Sequence, residues 1–308
     1  MISNLTTRIT PRVIAYCAAG FAAFWVLLRI MGNLGWHPAW GPPEFSVLVI
    51  EGLIAYGIAM VLCLQIAAEY RHSHWLCIAW FCLAIKSAVA VIRYALDDPM
   101  INLIRPGYYE SPWSGLAREL PMAIALSFLV AGMLTMAYGF LRMGLGFRLE
   151  RSDWAAIVGA VAVLIAVIYF RHELSAARWN MPLVLQAQIA NQVLWVVAAA
   201  LSLLLYRLSL QMGGGRLAAG MRILFVYIVL RSSLVFVSMV LLPGLFRIDR
   251  ENFVTMFLYQ ATPWLFTLAA VYRFQLTSNA ARQAAHMRTL DSSAGKMGTA
   301  PEGHHSLK

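Results

Sequence analysis

LPMAIALSFLVAGMLTMAYGFL, from Leu120 to Leu141, contains no charged residue and no alternation of polar with apolar positions. A strand of a membrane barrel must alternate between lipid and lumen, so a run this evenly apolar reads as helix. Hydrocarbon offers backbone groups no partner, and a helix satisfies its own N–H and C=O groups internally. Crossing the bilayer takes about 20 such residues, which this stretch supplies. Ala155 to Phe170, AAIVGAVAVLIAVIYF, reads in the same way.

Working outward, comparable runs predict spans over residues 13–31, 45–68, 75–95, 119–141, 154–170, 183–206, 222–241 and 254–273. The expected fold is therefore all-α, a polytopic membrane protein of eight transmembrane helices. Composition agrees: 308 residues are 61% hydrophobic and 12% charged, with a mean hydropathy of +0.69. A soluble domain of that make-up would expose apolar surface far beyond the usual range.

The net charge of +10 would suggest nucleic acid only if it formed a patch on a water-facing domain. It falls instead into alternate gaps. One side holds Arg8 and Arg12, then Arg71, then Arg142, Arg148 and Arg151, then Arg207, Arg216 and Arg222, and finally Arg273 with the tail residues Arg282, Arg288, Lys296 and Lys308. The other side holds Arg105, Arg118, Arg171, Arg178, Arg247 and Arg250, offset by Glu44, Asp97, Asp98, Glu110, Glu119, Glu173, Asp249 and Glu251. The positive-inside rule then predicts a bacterial-type inner-membrane protein with both termini cytoplasmic, and no nucleic-acid partner. Cys17, Cys63, Cys77 and Cys82 all fall within expected helices, where they read as small apolar packing residues rather than a disulfide framework. The first apolar run continues without a small-residue cleavage site, so it reads as a retained helix rather than a signal peptide.

Residues 1–275 form the expected transmembrane domain, and residues 276–308 a basic, disordered cytoplasmic tail. Short matches recur in order between residues 13–141 and 154–273: Trp40 to Pro43 with Trp179 to Pro182, Tyr70-Arg71 with Tyr206-Arg207, Lys86-Ser87 with Arg231-Ser232, and Arg118-Glu119 with Arg250-Glu251. Each half has an even number of expected helices, so duplicated halves would be parallel and related by an axis along the membrane normal. The competing explanation is that Trp, Tyr and Arg recur at helix ends because the interface favours them there.

An ionisable side chain at mid-membrane costs about 2.5–3.5 kcal/mol on insertion scales, so each one calls for a partner or a purpose. Glu51 and Arg93 lie at comparable depth and are expected to pair; Lys86 and Arg231 lie near mid-membrane with no acid at their level. Gln188, Asn191 and Gln192 share a face of the sixth span, Tyr227 and Arg231 share one on the seventh, and Gln260 stands beside Pro263 in the eighth. These residues predict an outward-facing polar cavity, roofed by Trp36, His37, Trp40, Tyr108, Tyr109 and Trp113. In it Lys86 and Arg231 would hold an anionic group, Glu51 and Arg93 would pair or gate, and Gln188, Gln192 and Gln260 would orient the ligand. The plainer alternative is that buried amides only join helices, at about 0.6 kcal/mol each, while Lys and Arg reach for the interface.

Reaction chemistry is missing. His37, His72, His74 and His172 fall at helix ends or in gaps, and His286, His304 and His305 in the tail, so no haem pair is expected. His172-Glu173 lacks a second histidine at zinc-protease spacing, and Gly213 to Gly215 lacks the lysine of a phosphate loop. No catalytic residue, metal or cofactor is therefore expected. The expected partners are membrane lipids and a small anionic or polar ligand, bound or transported. A sensor subunit signalling through another protein and a structural subunit of a membrane assembly are the alternatives.

Overall fold

The computed structural model describes residues 9–35, 43–96, 113–146, 149–176, 182–211, 216–236, 258 and 261–275. The helices are α1 (Pro11–Asn33), α2 (Pro43–Glu69), α3 (His74–Ala95), α4 (Trp113–Arg142), α5 (Arg151–Ala176), α6 (Pro182–Gln211) and α7 (Arg216–Phe236), followed by α8 over residues 261–275. No strand occurs among the described residues. Among the described residues, five stretches are long and apolar enough to cross a membrane: Pro11–Asn33, Val47–Glu69, His74–Ala95, Glu119–Arg142 and Gln186–Gln211. The other expected spans correspond to α5, α7 and α8. Gln260, the aromatic residues expected to roof the cavity and the tail after residue 275 lie outside the described residues or side chains.

Local sequence sets the helix starts. Thr10 caps α1 by accepting the Val13 N–H at 3.3 Å, and Pro11 at the first position loses no bond there. Asp153 accepts the backbone N–H of Glu150 at 2.9 Å, bonding back to the residue that precedes α5. Two helices begin earlier than their apolar runs predict: α4 at Trp113 and α7 at Arg216, each about two turns before the expected span.

Successive contacts run α2 on α3, α3 on α4, α4 on α6 and α6 on α7. Helix α8 joins both ends of that series. It meets α7 where Gly220 faces the Ala269 carbonyl, and α2 where the Thr267 hydroxyl bonds the Ala55 carbonyl at 2.8 Å. The result is a ring of six helices. Helix α1 attaches to it through α2 and through Phe21, whose ring centre is 5.8 Å from that of Trp264. Helix α5 touches α6.

One continuous cluster of buried apolar side chains fills the ring. The opposite pattern marks α5, where Trp154, Val158, Ile165 and Tyr169 are all more than half exposed, Val158 at 64%. Lipid accommodates such a face without cost; water would not. At one end of the bundle Trp75 meets Tyr138 edge-on, with ring centres 4.6 Å apart, and Arg142 donates to the Tyr138 hydroxyl at 2.8 Å. These side chains have the amphipathic character of a headgroup belt.

Candidate functional site

The interior of the ring is where charge collects. Lys86 on α3 is 3% exposed and Arg231 on α7 is 5% exposed. Tyr56 on α2 and Tyr227 on α7 meet between them, hydroxyl to hydroxyl at 3.3 Å. Tyr227 and Arg231 are one turn apart on the same helix face, and Arg231 is within electrostatic range of Lys86 and of both tyrosines. Arg231 also reaches α8, donating to the Thr262 hydroxyl at 3.4 Å.

Lys86 has a distinct environment. Its Nζ lies 3.7 Å from the ring centre of Phe266, 4.0 Å from that of Tyr56 and 5.1 Å from that of Tyr227. Among the described residues the ammonium has no hydrogen-bond acceptor, although it carries three donors. The negative faces of those rings attract a cation to this point.

The remaining residues expected to serve this site fall into two other groups. Glu51 accepts a hydrogen bond from the indole N–H of Trp264. The described contacts of Arg93 are with the Met122 sulfur at 3.8 Å and the Tyr94 ring, whose centre is 5.9 Å from its guanidinium carbon. Gln188 and Asn191 turn toward α4. Gln188 donates to Glu119 Oε1 at 3.4 Å, while Asn191 donates to Glu119 Oε2 at 2.8 Å and to its carbonyl at 3.2 Å. Gln192 is buried beside them. Lys86 and Arg231 are thus brought together, whereas Gln188 and Asn191 serve the α4–α6 contact.

Sequence reasoning missed Tyr56, Phe266, Trp264 and the role of Glu119. The aromatic residues gave no usable signal, because a Tyr or Phe in an apolar run is indistinguishable from core. Glu119 was expected to balance charge in a gap; it is buried, because α4 begins at Trp113 and carries it nearly two turns into the helix. The proline two positions on, Pro121, sits inside that helix and not at its start.

A small cavity of about 20 Å³ adjoins the aromatic residues, with Leu83, Phe266, Met136, Leu224 and Arg273 among its lining. That is room for roughly one water molecule. No group of three or more potential metal ligands occurs among the described residues. Comparison with known proteins gave no match: no family model, no curated protein and no solved structure matches the chain.

Proposed function

We propose that this chain is a multi-pass protein of a bacterial-type inner membrane, with both termini cytoplasmic, that binds or transports a small anionic or strongly polar molecule within its helical ring. Lys86 and Arg231 are the groups that hold the anion, approached through a polar path from the external side. The observation that carries the reading is the burial of two cations in one interior while Lys86 has no acceptor among the described residues. An isolated buried charge is costly, and an incoming anion would relieve that cost where neutral donors could not.

Neither buried acid reaches Lys86: its Nζ has no acceptor among the described residues, while Glu51 accepts from Trp264 and Glu119 from Gln188 and Asn191. The Glu119, Gln188 and Asn191 cluster itself favours a structural role, since its bonds join α4 to α6.

Binding of inorganic phosphate to the full-length protein in detergent, with uptake into vesicles as the transport readout, tests the proposal. Arg231→Gln should weaken phosphate binding more than tenfold while the protein still inserts and folds, because glutamine keeps a polar side chain but removes the charge. Lys86→Arg should retain more binding than Lys86→Met, despite the altered donor geometry. Equal phosphate binding per folded molecule in Arg231→Gln and the parent would overturn the assignment.

A further inference from the structure

The three rings around Lys86 come from three separate helices, Tyr56 from α2, Tyr227 from α7 and Phe266 from α8, and present themselves to a single point. Proteins hold organic ammonium ions in this manner, because ring quadrupoles attract a cation most strongly where water is excluded. Here the cation is the protein's own.

We infer that Tyr56, Tyr227 and Phe266 form a box for the ammonium end of a zwitterionic ligand, that Lys86 occupies this box in the present structure, and that binding turns Lys86 out of it to join Arg231 on the ligand's anionic end. This rests on the anion site proposed above and names the class of molecule it takes. A purely anionic ligand would draw Lys86 away and leave three ring faces without a cation. A purely cationic ligand would displace Lys86 and add positive charge next to Arg231. A ligand carrying both charges supplies the rings with a cation and Lys86 with an acceptor, and adds no net charge to the interior.

The ring box, at Tyr227, and Arg231 share neighbouring turns of one helix, which calls for a short ligand. Tyr227 and Arg231 are one turn apart on α7, a rise of about 6 Å. That separation suits an alkylammonium joined to a phosphate or carboxylate by two or three carbons. Phe266 lines both the box and the adjoining cavity, so its ring can give slightly toward that cavity, while most of the room for the ligand comes from Lys86 leaving the box. The shared chemistry is that of phosphocholine, met either as a free molecule or as a lipid headgroup.

The experiment measures binding of phosphocholine, a short-chain phosphatidylcholine below its micellar concentration, choline and inorganic phosphate to the full-length protein in detergent. Gel filtration and near-UV circular dichroism confirm that each variant is folded. At least one zwitterionic probe should bind ten times more tightly than phosphate, and which of the two does so identifies the source. Phe266→Leu, with Tyr56→Leu as the second variant, should abolish that advantage by weakening zwitterion binding, while phosphate, for which Lys86 must leave the rings, should bind no less tightly than to the parent. Lys86→Ala should tighten choline binding at least tenfold, because the box is vacated, while weakening phosphate. The inference is overturned if neither zwitterion binds more tightly than phosphate, or if the ring variants change zwitterion and phosphate binding equally. Failure of the anion site alone reads differently: Arg231→Gln would leave phosphate binding intact, while choline binding to Lys86→Ala still depended on Phe266.

Discussion

Glu119 accepts hydrogen bonds from two buried amide side chains, and removing it would leave those donors without this acceptor in an apolar interior. A buried polar group deprived of its partner costs about 1–3 kcal/mol. Glu119→Ala should therefore lower the thermal unfolding midpoint in detergent clearly, and Glu119→Gln should lower it less because its carbonyl still accepts one bond. An unchanged midpoint in Glu119→Ala would mean that the amides find other partners at no cost. At this scale the sequence was informative where charge interrupts hydrocarbon: Glu51, Lys86 and Arg231 stand out in apolar runs, and all three are buried. It was silent on the rings around Lys86, since the signal that makes an aromatic residue a ligand is its neighbours, and two of the three rings come from helices more than 100 positions beyond Lys86.

Helix against helix, close approach depends on small residues. A Cβ on Gly132 would lie 3.0 Å from the Ala79 carbonyl oxygen and 3.2 Å from the Leu83 side chain, so α4 and α3 meet there with no space for a larger residue. Gly132→Val should cost about 1–3 kcal/mol by overpacking, read as a lower unfolding midpoint; unchanged stability would show that the two helices can separate freely. Helix α5 is held differently. Arg207 on α6 bonds Asp153 at 2.8 Å and Glu150 at 3.1 Å, at the end where α5 begins. The hydrogen bond from Arg207, supported by the Glu150 N–H, holds the Asp153 carboxyl below its ordinary range. A depressed carboxyl contributes stability above its unfolded value, about pH 4, and that contribution is lost as pH falls through the lower folded value. Hydrogen exchange of the first turns of α5 should accordingly stay constant from neutral pH to about 4 after correction for intrinsic rates, then rise on further acidification. Asp153→Asn should show the faster exchange already at neutral pH. The same pH response in Asp153→Asn as in the parent would remove Asp153 as its cause. Helix existence was legible from the apolar runs, but helix starts were not, because first turns such as Trp113 to Arg118 interrupt their apolar residues with Ser114, Gly115 and Arg118 and so fall outside an unbroken apolar run.

For the molecule as a whole, the order of contacts allows a duplication to be tested. Helices α2, α3 and α4 occupy one arc, and α6, α7 and α8 the other. A half-turn about the ring axis would carry α2 onto α6, α3 onto α7 and α4 onto α8. The same rotation would carry the α1–α2 contact onto that of α5 with α6. The short sequence matches pointed to such halves, but interfacial residues recur in any membrane protein, so only the spatial order distinguishes common descent from common environment. The prediction is that in an experimental structure residues 43–142 superpose on residues 182–275 by a half-turn about the membrane normal, bringing Lys86 and Arg231 to corresponding depths on α3 and α7. Topology gives an independent check, since parallel halves place equivalent loops on the same side. Reporters after Met143 and Gly214 should be cytoplasmic, and those after Gly107 and Leu245 external. A superposition that works only with a different helix order, or with one half inverted across the membrane, would reject the duplication. It would then leave the meeting of Lys86 and Arg231 as a feature evolved on two unrelated helices, with the binding site unaffected.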